Sequence, residues 1–250
     1  MDVQAYWQRA AVGARDGSAI LAVQPFRSSP TVHGWINRRM LAGTLRLVER
    51  ARPGRLRRAL DLGSGPGWFA AAIAPRCDAV VAVDFAAAFV AQARAQLAAL
   101  GHPRAHAVVA DVRAWDDFDA DLVHLGAVGM YLEDDELAAL YRRAAGGLPR
   151  DGVLVQREWV VTGLGRQGRA RRGDYASWQR RARRYRQLAG AAGLVLAARR
   201  WGPSLCLEEE ARARLGDVVG AALAWPARAL GAASLLGRTR SSVTMVYRRA

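Results

Sequence analysis

From residue 56 onward, short apolar runs alternate with longer amphipathic stretches. The runs are RALDLG at 58 to 63, AVVAVD at 79 to 84, HAVVAD at 106 to 111, ADLVHLGAV at 120 to 128 and GVLVQREW at 152 to 159. Runs this short and this apolar suit strands covered on both faces. Between them, AAAFVAQARAQLAAL and EDDELAALYRRAAGGL have helical spacing, and the second opens on acids that suit a helix N-terminus. Strand and helix in repetition call for right-handed parallel crossovers. The expected fold is α/β: a Rossmann-like, doubly wound, seven-stranded, mostly parallel sheet with helices on both faces.

Ahead of the first run, TVHGWINRRMLAGTLRLVER sets Val32, Trp35, Ile36, Met40, Leu41, Leu45 and Leu47 near helical spacing, and Arg52-Pro53-Gly54 marks a turn after it. Behind the fifth run, ASWQRRARRYRQLAGAAG reads as a helix closing at Gly193. LVLAARRW and SSVTMVYRR then read as strands placed to close the sheet as an antiparallel edge pair, although the alanine-rich insertion at 208 to 236 permits either arrangement.

Composition narrows the picture only a little. The net charge of +15 points toward anionic partners, but all 37 basic residues are arginine, which reads as codon preference and a solvated basic surface before it reads as a nucleic-acid footprint. An acidic substrate or peptide still fits that charge, whereas no RNA-binding module is recognisable. Cys77 and Cys206 are far apart and the four histidines are scattered, so neither disulfide nor metal spacing is present. MDVQAYWQRA has no apolar signal region, and Val218 to Gly237 is interrupted by Pro226 and Arg228, so no membrane span is expected and the reading is cytoplasmic.

The candidate chemistry begins at LDLGSGPGWFA, residues 60 to 70. A phosphate-binding loop would need Gly-Lys-Ser/Thr, and the chain has no lysine. Asp61, two residues before Gly63, would repel a pyrophosphate but suits a ligand with a cationic amino group. The next strand ends in Asp84, 17 residues after Gly67, where a carboxylate can accept both hydroxyls of a ribose. The strand after that ends in Asp111, placed to accept an exocyclic adenine amine.

On these residues, positions 56 to 200 resemble the class I S-adenosylmethionine-dependent methyltransferases. The resemblance implies S-adenosylmethionine as cofactor and S-adenosylhomocysteine as product. It places Asp61, Gly63, Ser64, Gly65 and Gly67 along the methionyl side, Asp84 with Phe85 at the ribose, Asp111 with Val112 at the adenine, and Gly126 on the cofactor wall. The chain then divides as one domain, with 1 to 55 a helical lid and substrate segment, 56 to 200 the cofactor-binding core, and 201 to 250 an insertion with edge strands.

For the acceptor, neither cysteine stands where a pyrimidine-attacking nucleophile would, and the Pro-Pro box of base-amine enzymes is missing. Clustered strand-end carboxylates for a metal are lacking too; Asp116, Asp117, Asp119 and Asp121 crowd before the fourth strand, at the wrong end, as a solvated loop. YWQRA, VDFAAAFVAQAR, DELAALYRRAAGGLPRDGVLVQRE and DYASWQ are similar to pieces of the protein alpha-N-terminal methyltransferases and their bacterial relatives acting on natural-product peptides. That resemblance implies N-methylation of a peptide or small-molecule amine.

Tyr131, Glu158 and Asp174 are the candidate catalytic groups, Glu158 and Asp174 as proton acceptors. Equally open, Glu158 pairs with Arg157 or a nearby arginine on the surface and Asp174 caps a helix starting near Tyr175. Tyr6, Trp7, His33, Trp159 and Tyr175 are the candidate substrate contacts, with cation-π capture of a methylated ammonium in view; Trp35 and Trp178 read as core. Two other readings stay open: O-methylation of a small hydroxylated metabolite with His33 or His124 as base, and a non-catalytic cofactor-binding subunit.

Overall fold

The computed structural model describes residues 3–12, 30–163, 165–172, 175–204 and 240–250. In chain order the elements are α1 (Val3–Val12), α2 (Pro30–Ala51), β1 (Leu56–Leu62), α3 (Trp68–Ile73), β2 (Cys77–Asp84), α4 (Ala87–Ala99), β3 (Ala105–Val109), β4 (Leu122–Gly126), α5 (Asp134–Gly147), β5 (Val153–Val161), β6 (Gly168–Arg172), β7 (Tyr175–Gln179), α6 (Ala182–Ala191), β8 (Leu194–Ser204) and β9 (Arg240–Arg249). Seven strands form one sheet in the order β3-β2-β1-β4-β5-β9-β8, and β6 with β7 forms a separate hairpin. The first five are mutually parallel, and β9 runs antiparallel to both β5 and β8.

The near-continuous apolar strands follow from helices covering both faces. On one face Leu60, Leu62, Val123, Leu125 and Leu154 pack with Leu137, Leu140 and Tyr141 of α5 and Tyr185 of α6. On the other, Leu56, Ala59, Val80, Leu122 and Val155 pack with Val48 of α2, Phe69 and Ile73 of α3 and Val90 of α4. Each fully buried leucine or isoleucine contributes about 1.5–3 kcal/mol of transfer free energy. A capping box starts α5, with Glu133 and Glu136 exchanging side-chain and backbone bonds.

The strand pair after α6 closes one edge of the sheet as an antiparallel pair, with β8 outermost and β9 between β5 and β8, where residues 242 to 247 are buried. Two expectations change. Residues 176 to 179 are strand, not helix. Ser177 and Gln179 are buried while Ala176 and Trp178 are half-buried, a period of two that the arginine-rich run behind them obscures, and the helix begins only at Ala182. The acidic run before β4 is not a solvated loop throughout. Asp121 is buried and accepts the Arg57 backbone N–H at 2.5 Å, while Asp119 and Asp117 pair with Arg57 and Arg58 and close the far end of the sheet. The 208 to 236 insertion and Cys206 lie outside the described residues.

Candidate active site

The chain leaves β1 and enters α3 through three glycines in left-handed backbone, with φ of 69° at Gly63, 54° at Gly65 and 87° at Gly67. Space confirms the need: a Cβ on Gly63 would sit 2.2 Å from Val128 Cγ2, and one on Gly67 2.8 Å from Ala93 Cβ on α4. The turn is stapled to the end of β2. Gly63 and Ser64 both donate their N–H to the Val83 carbonyl, at 2.8 and 3.0 Å, and Gly65 donates to Asp84 Oδ2 at 2.9 Å.

Asp84 takes a second N–H, that of Ala86, on Oδ1 at 2.9 Å. Burial pushes its carboxyl up to about 6, against the opposing pull of those backbone donors. A carboxylate has about four acceptor positions, so lone pairs remain for a diol.

Asp61 lies beneath the turn. Its Oδ1 accepts from His124 Nδ1 at 2.7 Å, and its Oδ2 accepts the Ala70 N–H at 3.2 Å, in the first turn of α3. Burial lowers the His124 pKa despite the adjacent charge of Asp61, so the imidazole is neutral, donates from Nδ1, and leaves Nε2 as an unpartnered acceptor. The ring stacks on Phe69 with centroids 3.7 Å apart. His124 is therefore an internal brace and not an exposed base. His33 lies on α2, where its side chain is outside the described residues.

Asp111 follows β3 and is half-buried. Gln4 of α1 donates to it at 2.6 Å, and Arg113 grips it with its backbone N–H and its guanidinium, the shortest contact being 2.6 Å. Burial works against its charge, but the Arg113 and Gln4 bonds outweigh it and hold the carboxyl below the usual range. Val112 is buried in the core and Phe85 packs in a small cluster with Trp7 and Ala11 of α1.

After Gly126 the chain passes through Ala127, a non-glycine residue at φ 62°. Such a conformation costs on the order of 1 kcal/mol and concentrates at functional sites. A single helical turn, Gly129 to Tyr131, follows. Glu158 Oε1 accepts the Gly129 N–H at 2.6 Å, while Arg180 donates to the carbonyls of Gly129 and Leu132 at 2.6 and 2.7 Å and to Asp134. Glu158 is 1% exposed, and burial pushes its carboxyl up to about 7.

This corrects the surface Glu158–Arg157 pair. Successive residues of β5 point to opposite faces, and Glu158 joins Gln156 and Tyr141 instead. The helix-capping alternative for Asp174 also falls, since Tyr175 opens β7. Asp174 itself, and the side chain of Tyr175, lie outside the described residues.

Past the end of β4 and against β5, Met40, Met130 and Trp159 of β5 form a buried cluster with Ala127 and Tyr131 packed against it. Trp7 of α1 meets Tyr131 edge-on at 5.8 Å and Phe89 at 6.2 Å, with Tyr6 at 5.5 Å from Trp7. The β7 strand packs against the Gly129 turn and α1, and Trp178, expected in the core, carries the Arg180 guanidinium over its ring at 5.3 Å. The structure thus gathers Asp84, the glycine turn, Asp111, Tyr131, Trp7 and Trp159 at one end of the sheet. Sequence reasoning missed Gln4, Gly129, Arg157 and Arg180. Arg157 was legible from strand alternation, whereas Arg180 is hidden in the run QRRARR.

Among the described residues no three His, Cys, Asp or Glu side chains converge as a metal site requires, and no helix is long and apolar enough to cross a membrane.

The sheet order, with its interior antiparallel β9, and the glycine turn beside a strand-end acid define the fold of the class I S-adenosylmethionine-dependent methyltransferases. The family described as Methyltransferase domain matches residues 59–152. Among solved structures, the 1,6-didemethyltoxoflavin-N1-methyltransferase of Burkholderia thailandensis superposes with a TM-score of 0.67 at 14% identity, covering 99% of this chain and 87% of its own. A methyltransferase of Leishmania major gives 0.67 at 14% identity, covering 98% and 81%. The N-methyltransferase NodS of Bradyrhizobium japonicum WM9 gives 0.57 at 14% identity, covering 86% and 87%. A search of curated proteins finds no match. Over residues 59–152 the chain thus matches a methyltransferase domain, and its fold is that of the class I S-adenosylmethionine-dependent methyltransferases.

Proposed function

We propose that the protein methylates an amine of a peptide or small natural product. The observation that carries this reading is the group of Met40, Met130, Trp159, Tyr131 and Trp7 past the end of β4 and against β5. Ring faces and polarisable sulfur suit a methylated ammonium. Two of the fold relatives are N-methyltransferases by name.

Bound S-adenosylmethionine supplies a methyl group on a sulfonium. The glycine turn with Ser64 and Gly126 lines its methionyl side, braced from below by Asp61. Asp84 with Phe85 accepts the ribose hydroxyls, and Asp111 with Val112 borders the adenine. Tyr131 orients the acceptor, and Tyr6, Trp7, His33, Trp159, Asp174 and Tyr175 complete its surroundings. Glu158 acts from behind by fixing the Gly129 turn that carries Tyr131.

An α-amine has a pKa near 7.7–8.0, so about a tenth is neutral at pH 7 and alignment with exclusion of water supplies much of the catalysis. We assign α1 and α2 as the cover over one catalytic domain acting in the cytoplasm. The test is calorimetric titration with S-adenosylmethionine, then incubation with labelled cofactor and panels of amines, peptides, phenols and RNA. Label in amines is expected; label confined to phenols rejects the reading, and absence of cofactor binding rejects the site.

A further inference from the structure

Among the described residues, Arg157 is a guanidinium without an anion. It stands on β5 in register with Gly126 of β4, and its side chain lies on the face opposite Glu158. Its Nη1 meets Met40 Sδ at 3.9 Å, and among the described residues it makes no ion pair. The space that a Cβ on Gly126 would fill is bounded by Arg157 Nη2 at 3.1 Å and by the His124 imidazole, with Cε1 at 2.8 Å and Nε2 at 3.5 Å. Two polar groups, a guanidinium and the unpartnered His124 Nε2, therefore close around the Gly126 backbone, where only a glycine fits.

Burial outweighs the distant pull of Glu158 and Asp61 and lowers the Arg157 pKa, so those acids do not compensate its charge. Most of the other inward-placed arginines have found partners: Arg180 holds Asp134 and two carbonyls, and Arg58 holds Asp117. An arginine left against Met40 beside a reaction site is poised for an anion from outside, and its planar fork matches a carboxylate.

We propose that Arg157 recognises a carboxylate on the methyl acceptor, which makes the acceptor an amino-acid-like or peptide acid. Its Nη2 borders Gly126 on the cofactor wall, and its tie to the acceptor is through Nη1. Met40, the side chain it touches, belongs to the Met130–Trp159–Tyr131 cluster and not to the glycine turn. The basic surface of the chain would draw such acids in. The inference rests on the amine reading above for where the acceptor sits.

The test uses amino acids and dipeptides, each as the free acid and as the C-terminal amide, titrated into the full chain loaded with S-adenosylhomocysteine and also offered as acceptors with labelled cofactor. The wild type should bind and methylate acids at least tenfold better than amides. Arg157→Met should abolish that preference and Arg157→Lys should retain part of it, both with S-adenosylmethionine affinity within about twofold of wild type. Equal binding of acids and amides by the wild type overturns the proposal. So does an Arg157→Met variant whose S-adenosylmethionine affinity drops tenfold while its affinity for decarboxylated S-adenosylmethionine holds, because the guanidinium then serves the cofactor. Arg157-dependent binding of acids without any transfer to them would leave this subsite standing and remove the amine reading. Should Arg157→Met fail to fold, Arg157→Gln carries the same comparison.

Discussion

Glu158 and Arg180 hold the same residue from opposite sides: the Gly129 N–H donates to Glu158 Oε1 at 2.6 Å, and the Gly129 carbonyl accepts from Arg180 at 2.6 Å. A buried acid and a buried base thereby fix the turn from which Tyr131 projects, and the two charges are separated by one residue of backbone. Glycine is needed there because a Cβ would come 2.7 Å from both Gln156 Nε2 and Glu158 Oε1 and 3.1 Å from Tyr185.

Gly129→Ala should therefore disturb the site more than the fold. Overpacking costs about 1–3 kcal/mol, while a displacement near 1 Å at a reacting group can cost about 100-fold in rate. Methyl transfer should drop by roughly that factor with the melting temperature a few degrees lower. Full activity in the alanine variant would show that the turn does not position the acceptor.

Glu158 also sets a pH dependence of stability. Its carboxyl titrates near 4.5 when free and is pushed up to about 7 in the fold. The native state thus holds a proton that the unfolded chain has released, so this contribution is complete below about pH 4.5 and is lost as pH rises through about 7. The total is on the order of 3 kcal/mol. Glu158→Gln keeps an acceptor for Gly129 and removes the titration, so its urea midpoint should vary less between pH 4.5 and 7 than that of the wild type. Parallel profiles would refute the assignment.

Asp84 makes the matching prediction for the cofactor. Asp84→Ala removes the acceptor of the Gly65 and Ala86 N–H groups together with the proposed ribose contact. At about 1.5–3 kcal/mol for each charge-assisted bond, affinity for S-adenosylmethionine should weaken by roughly 100-fold or more, and Asp84→Asn should fall between. Since the carboxyl titrates at about 6, wild-type affinity should also decline below that pH as the acceptor is protonated. Calorimetry across pH 5 to 8 checks both.

The sheet was legible in the sequence because its central strands are buried on both faces and stand out as apolar runs from Leu56 to Val161. The glycine turn and Asp84 were legible because backbone geometry restricts their residue types. What stayed hidden depends on contacts distant along the chain. Asp61 and His124 are 63 residues apart, and only the β1–β4 pairing brings them together. Gln4 reaches Asp111 across 107 residues. The β6–β7 hairpin was masked by its composition, since GRARR and YASWQ carry too few apolar residues to announce strands.

Asp61 is predicted to matter for stability before chemistry. Asp61→Ala leaves His124 Nδ1 and the Ala70 N–H without their partner in a dry environment, at about 1–3 kcal/mol for each orphaned group. A loss of roughly 2–4 kcal/mol is expected by urea denaturation of the cofactor-free protein. Asp61→Asn should lose less, since its carbonyl still accepts one of the two bonds. A change below about 0.5 kcal/mol for the alanine variant would show that the brace contributes nothing to the fold.

Trp7 links α1 to both halves of the site, touching Phe89 on the side of Asp84 and Tyr131 on the side of the acceptor, while Gln4 on the same helix reaches Asp111. Removing the indole takes away the apolar contact that seats the helix but leaves the core sheet intact. Trp7→Ala should raise the cleavage rate of α1 in limited proteolysis and lower kcat/KM about tenfold, with the melting temperature nearly unchanged. Saturating S-adenosylmethionine should protect α1 in the wild type more than in the variant, because a cover held partly by Asp111 gains from an occupied adenine position. Equal protection in the two proteins would mean that α1 is seated by the rest of its face and that Trp7 serves the acceptor alone.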